Sequence, residues 1–361
     1  MTIEQIGGAA LMALFLADIF LTVLYARAGT GLLAPRWNRL VWTAVNGVSR
    51  LFGRRRGAVL SYAGPLIVIL LILFWALGLT IGAALIVQPE LGTAIRPSSG
   101  DTPKDFVTAL LVAGNSLSIV GGGDYSPHTA GTRLLYLFNS LIGGAVLSLV
   151  LSYLVQVYSA LRERNALGFA VELMTGGTGD PAELLARLAP DGDFSDTVSE
   201  LGNLVRPLAQ TKEAHHFYPL LFYFRFKEPF YSVSRLCFVL LDLTTLIDSA
   251  IGGEEQKKLA RSAPVGALRR GSLMLLDTLD RNFPTAQQAR DDAAGGGTVA
   301  QSYAAAVETL RGAGIETRPD TGSYADQRGR WEPLVRRVAP TLGYRMDEID
   351  RRTQHSEASV A

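Results

Sequence analysis

The chain has 361 residues, 48% of them hydrophobic, and a net charge of +1. Near-zero charge leaves no electrostatic footprint for nucleic acid, and none is expected as a partner. The single cysteine, Cys237, excludes an intramolecular disulfide framework and a multi-cysteine zinc site.

The apolar excess lies in the first 162 residues. Its first run, Ile6 to Tyr25, is about 20 residues long, which is bilayer length. The residues before it, Met1-Thr2-Ile3-Glu4-Gln5, carry no base. That reads as an uncleaved span and not as a signal peptide, which wants a basic leader. Asp18 lies inside this span, and an acid at membrane depth is a functional candidate. The other reading of Asp18 is structural: it faces the helix bundle and bonds a neighbour such as Thr22.

Residues 26–58 carry Arg27, Arg36, Arg39, Arg50, Arg54, Arg55 and Arg56 and no acid. The positive-inside rule makes this loop cytoplasmic. Leu40, Val41, Ala44, Val45, Val48 and Leu51 repeat at helical spacing near Trp37 and Trp42. Two readings fit: an amphipathic helix in the membrane interface, or a short helix packed on protein.

A second uncharged span runs from Val59 to Val87, with Pro65 near its start, where a missing N–H costs least. Gly78 and Gly82 are spaced for close helix contact. Residues 88–133 lack a basic excess and are expected outside. Within them, Thr102-Pro103 reads as the start of a helix reaching Ala113, with Asp105 complementing its dipole. The third span, Leu134 to Leu161, is again uncharged and carries Gly143-Gly144. The N-terminus is then outside, and everything after Leu161 is cytoplasmic.

Between the last two spans lies Asn115-Ser116-Leu117-Ser118-Ile119-Val120-Gly121-Gly122-Gly123-Asp124-Tyr125-Ser126-Pro127. Three consecutive glycines are costly in chain entropy unless the backbone needs unusual dihedrals or close packing. Irregular backbone at membrane depth survives only when shielded by protein or lining a wet cavity. The run therefore reads as a re-entrant loop that aims carbonyl oxygens at an ion.

This run resembles the pore loop of the tetrameric potassium-channel superfamily, whose filter reads Thr-Val-Gly-Tyr-Gly-Asp. Ile119 takes the Thr place, Val120 the Val, Gly121 the first Gly, Gly122 the Tyr, Gly123 the second Gly and Asp124 the Asp. Phe106, Ala109 and Leu110 resemble the pore helix, with Ser116 and Ser118 at its hydroxyl positions. Pro127 and Gly131-Thr132-Arg133 resemble the beginning of the inner helix. The resemblance covers residues 59–162. It implies a ring of backbone carbonyls replacing an ion's hydration shell, a homotetramer in the lipid bilayer, and a gating hinge at Gly143 or Gly144. Close helix packing is the alternative for that glycine pair. Two positions depart from the pattern: Ile119 has no hydroxyl, and Gly122 has no ring.

Residues 163–361 read as a mainly helical cytoplasmic domain. Asp180-Pro181-Ala182-Glu183 and Ser195-Asp196-Thr197 are helix starts. Ser232 to Ile251 is an apolar helix, Glu254 to Arg281 a more polar one, and Thr298 to Gly312 another. Gly295-Gly296-Gly297 marks a loop, and disorder is expected from about Arg352. Phe217, Tyr218, Phe222, Tyr223, Phe224, Phe226, Phe230 and Tyr231 crowd one window after His215-His216. The patch reads either as a membrane-facing or intersubunit surface with a histidine sensor, or as an aromatic core beside solvated histidines.

The fold class is thus an all-α membrane protein. Residues 1–58 form an N-terminal transmembrane helix and basic segment, 59–162 a two-helix pore-loop module, and 163–361 the cytoplasmic domain. The expected function is conduction of monovalent cations in the cell membrane, without enzymatic activity or cofactor. Ile119 to Asp124 form the filter, and Asp124 and Glu90 concentrate cations at the mouth. Potassium is the leading permeant ion, and a less selective pathway that also passes sodium is its near alternative. A membrane-anchored signalling or scaffold protein with a non-conducting pore is the second hypothesis. The stimulus or cytoplasmic ligand that opens the gate is not specified by any motif.

Overall fold

The computed structural model describes residues 2–25, 31–118, 123–282 and 299–352. They divide into two compact units, residues 1–43 with 65–158, and residues 44–64 with 159–361. Residues 44–64 thus pack with the C-terminal unit.

In the first unit, α1 (Ile3–Ile19) continues through a π-helical stretch, Phe20–Leu24. Thr2 caps it reciprocally with Gln5, so two otherwise orphaned amides at the helix start are satisfied. The second long apolar helix, α4 (Ala63–Val87), begins later than its uncharged sequence does. Arg56–Ser61 forms a separate short helix, α3, and the chain breaks at Tyr62. The absence of charge from Val59 onward is therefore not continuity of helix. Pro65 falls in the first turn of α4, where helix N–H groups have no intrahelical acceptor.

Glycines set how closely α1 and α4 approach. A Cβ on Gly8 would lie 2.5 Å from the Gly82 carbonyl oxygen, and one on Gly78 would lie 2.2 Å from the Phe15 ring. The small-residue spacing in α4 is thus a groove that admits α1. Phe15, Ile19, Leu71, Trp75 and Leu79 close the core below it.

Asp18 is fully buried and tied to three donors. Its carboxylate accepts from the Leu33 N–H at 2.7 Å, the Ala34 N–H at 3.2 Å and the Trp75 indole N–H at 2.8 Å. Thr22, offered by the sequence as a partner, is not among these donors, and its buried hydroxyl has no hydrogen-bond partner among the described residues. Leu33 and Ala34 stand at the start of α2 (Ala34–Ser49), so Asp18 caps a helix from another part of the chain. Trp37 stacks on Phe74 at 4.5 Å, which fits the packed-on-protein reading for this end of α2. The same helix leaves Leu40 and Val48 exposed. Replacing Asp18 by Ala strands buried donors, and the expected cost is about 3 kcal/mol. Thermal unfolding of Asp18→Ala in detergent checks this; a melting point equal to that of the parent would contradict it.

The last element of the first unit is most of α6 (Ala130–Met174), a single 45-residue helix that runs on into the second unit. Among the described residues, three helices are thus long and apolar enough to cross a membrane.

The second unit is helical and built around α9 (Val233–Ser249), which is buried along nearly its whole length. An apolar helix covered on every side is a core element. Around it stand α7 (Pro181–Leu188), α8 (Thr197–Phe217), α10 (Gly253–Ala260), α11 (Ala263–Asn282), α12 (Val299–Gly312), α13 (Thr321–Thr341) and α14 (Met346–Ile349). The polar helix expected over Glu254 to Arg281 is in fact two, α10 and α11, broken at Arg261-Ser262 with Pro264 in the first turn of α11. The triple glycine at 295–297 lies outside the described residues.

Asp242, one of two acids on α9 with Asp248, is fully buried. It accepts a hydrogen bond from the Tyr324 hydroxyl at 2.7 Å and pairs with Arg352 and, at 3.9 Å, with Arg328. Arg328 also pairs with Glu332 at 2.9 Å and Asp350 at 2.6 Å, and Arg352 with Asp180 at 3.0 Å. The remainder of the expected tail, residues 353–361, lies outside the described residues, and Arg352 is buried and paired. Its partners are up to 172 positions away in sequence, which no local pattern reveals.

Candidate ion-conduction site

The site is assembled from α5 (Phe106–Leu117), the segment after it and α6. The α5 cap is Asp105, three residues later than the Thr102-Pro103 start expected from sequence. Its carboxylate accepts from the Thr108 N–H at 2.9 Å and the Thr108 hydroxyl at 2.8 Å. These bonds hold the Asp105 carboxyl below its ordinary pKa, the backbone N–H acting most strongly. Two good capping residues lie in this stretch, and the one that meets an N–H three residues on prevails.

At its other end α5 is fastened to α6. The buried Asn139 amide donates to the Ser116 hydroxyl at 2.9 Å, and that hydroxyl donates to the Ala113 carbonyl at 2.8 Å. Ser118 closes the helix in extended conformation, so the chain leaves it at once. The α5 carbonyl end, with its partial negative charge, thus lies just before the glycine run in sequence. Ile119, Val120, Gly121 and Gly122 lie outside the described residues.

The chain is described again from Gly123. Its φ of +125° is open to glycine and strained for other residues. A Cβ there would also lie 2.7 Å from the Asn115 side-chain nitrogen. The Asp124 carbonyl accepts from the Ser98 N–H at 3.2 Å. The next residues, Tyr125–Pro127, form β2, antiparallel to β1 (Ile95–Pro97), with Arg96 opposite Ser126. This small ribbon was not legible in the sequence. Asn115, Ser116, Ser118, Gly123, Tyr125 and Tyr136 are among the residues around a cavity of about 290 Å³ between these elements.

The two glycines of α6 differ. A Cβ on Gly143 would fall 1.8 Å from the Leu117 carbonyl oxygen, whereas one on Gly144 would meet nothing within 4 Å. The helix is unbroken across both. Gly143 is thus the point where α6 touches the end of α5. Glu90 is occupied by α1: the Gln5 side-chain amide donates to its carboxylate at 3.0 Å. Asn139 was missed by sequence reasoning. An amide in an uncharged, largely apolar span, one of two there with Gln156, was the signal that could have found it.

The histidine pair is split in the second unit. His215 is fully buried, not solvated, with Nδ1 2.8 Å from the Thr211 carbonyl oxygen. Burial, helped by the Arg164 charge, pushes its pKa down to about 3. The folded state therefore holds it neutral, while the unfolded chain takes up a proton below about 6.5. Stability should fall as pH drops through that window, by up to about 1.4 kcal/mol per pH unit. His215→Gln should flatten this slope in denaturant titrations at pH 7 and 5. An unchanged slope would refute the assignment.

Two membrane-length helices enclosing a short re-entrant helix, followed by a glycine run, define an all-α membrane protein with a pore-loop hairpin. Residues 66–160 match the protein family described as ion channel. The class of function this match supports is that of an ion channel. The chain is also similar to the uncharacterized membrane protein YdjJ of Bacillus subtilis (strain 168), at 22% identity over 219 residues. That match covers 61% of this chain and 62% of the relative's length. No solved structure matches.

Proposed function

We propose that four copies of this chain surround one axis and conduct monovalent cations, potassium foremost, through the backbone carbonyls of Ile119 to Asp124. The observation that carries this reading is the join between α5 and α6. Ser116, bonded to Asn139, and Gly143, pressed to the Leu117 carbonyl, hold the end of the short helix where the glycine run begins. A carbonyl ring works only if its supports are rigid, because the oxygens must replace a hydration shell without collapsing. Gly123, in a conformation that favours glycine, supports the same reading.

In this account the N-terminus lies outside and residues after α6 lie in the cytoplasm. Gly144, where an added Cβ would meet nothing within 4 Å, is the residue about which α6 bends when the gate opens. Without a hydroxyl at Ile119 or a ring at Gly122, selectivity rests on the carbonyl column alone. Cation flux into liposomes holding the purified tetramer tests the proposal. Flux that Gly121→Ala abolishes is the expected result. Persistent absence of flux from well-folded protein, across pH and voltage, would instead favour a scaffold with a non-conducting pore.

A further inference from the structure

The second unit contains more than its own helices. It includes residues 44–64, which lead into α4, and the end of α6 from residue 159. These are the two chain segments that flank the proposed pore. Both are held by one connector, residues 219–231, which joins α8 to α9.

Arg164, on α6, is buried and reaches into the connector backbone. It donates to the Leu221 carbonyl at 3.1 Å and the Phe224 carbonyl at 3.2 Å, with its guanidinium 5.7 Å from the centre of the Phe226 ring. A desolvated guanidinium keeps its planar donors satisfied only while those carbonyls stay in place. Arg225, the next residue of the connector, points the other way. It donates to the Gly57 carbonyl at 2.8 Å and the Gly343 carbonyl at 3.3 Å and lies 4.5 Å from the centre of the Tyr344 ring. The Tyr344 hydroxyl is 3.2 Å from both the amide nitrogen and the carbonyl oxygen of Phe226.

The contacts are also too close for side chains on the facing backbone. A Cβ on Gly64 would lie 2.7 Å from the Phe224 ring, one on Gly168 would lie 2.5 Å from the Phe230 carbonyl oxygen, and one on Gly343 would lie 2.6 Å from Leu60. Phe224, Arg225 and Phe226 thus touch the chain before α4, the chain at the end of α6 and the turn after α13. Packed backbone contacts of this kind shift between discrete arrangements more readily than they deform.

We infer that Arg164 and Arg225 are positioning residues for the gate: through the connector they fix the chain entering α4 and the chain leaving α6 as one body, which the C-terminal helices can move. The inference rests on the channel reading for its consequence, but the mechanical link is testable without flux. Arg225 makes its direct hydrogen bonds to Gly57, Gly343 and Phe226, none of them on α6. In the full-length protein in nanodiscs, Arg225→Ala should raise amide hydrogen exchange tenfold or more in residues 56–64 and also in residues 159–174. Loosening confined to 56–64 and 343–344, with 159–174 at the parent rate, overturns the inference. If Arg225→Ala does not fold, Tyr344→Phe removes only the hydroxyl contact to Phe226. It should give the same two-segment pattern at smaller amplitude, and a one-segment pattern again overturns the link. In a conducting parent, Arg225→Ala should also change open probability several-fold and leave the reversal potential unmoved. A shifted reversal potential with unchanged open probability contradicts the assigned role. A parent without flux refutes the channel reading, and the exchange pattern still decides the link.

Discussion

Gly143→Ala should abolish or reduce cation flux by more than tenfold, while Gly144→Ala leaves the fold intact. The new methyl at position 143 would sit 1.8 Å from the Leu117 carbonyl oxygen, and the obstacle is backbone, not the movable end of a side chain. Either α6 must retreat or the end of α5 must tilt. Both strain the Asn139–Ser116 hydrogen bond, which spans the same join at 2.9 Å. Overpacking of this kind costs about 1–3 kcal/mol in ordinary cores. Here the displaced group is the last carbonyl of the helix before the glycine run, so function should suffer more than stability. At Gly144 a methyl meets nothing within 4 Å in the protomer, and Ala is the better helix former by up to about 1 kcal/mol. Thermal unfolding of both variants and liposome flux of Gly143→Ala check these expectations. Equal flux from Gly143→Ala and the parent would contradict the close-contact account.

Asp242→Ala should destabilise the C-terminal unit by about 3–5 kcal/mol, the range for breaking a buried ion pair from one side. Asp242 is the acid between Arg352 and Arg328, both at most 7% exposed, and it receives the Tyr324 hydroxyl. Its loss leaves Arg352 with Asp180 and the Ser302 carbonyl and strands a buried tyrosine donor. The matched control is Asp280→Ala, which removes the partner of the more exposed Arg337 and should cost less than about 1 kcal/mol. Denaturant titration of both variants gives the comparison. Similar losses from the two would show that the buried cluster carries no special weight.

Much of the membrane half was legible in the sequence because its signal is local. A run without charge announces a membrane-length helix from a few neighbouring residues. Element ends were less legible. Thr102 and Asp105 are both good caps, and only the Thr108 amide and hydroxyl, both bonded to Asp105, decide between them. The partners of buried polar groups were not legible at all. Asp18 finds Trp75 at 57 positions away, Arg225 finds Gly57 at 168, and Arg352 finds Asp242 at 110. Such bonds depend on packing that no periodicity encodes. The same holds for Gly143: a glycine pair in a helix permits either a hinge or a contact, and the nearness of Leu117 makes Gly143 a contact.

The most direct measurement is the reversal potential of the reconstituted protein in a planar bilayer with potassium on one side and sodium on the other. A carbonyl-lined path at a shared axis predicts a cation current that reverses on the side set by potassium preference. Current carried by anions, or no current from protein that is folded and tetrameric, would contradict it.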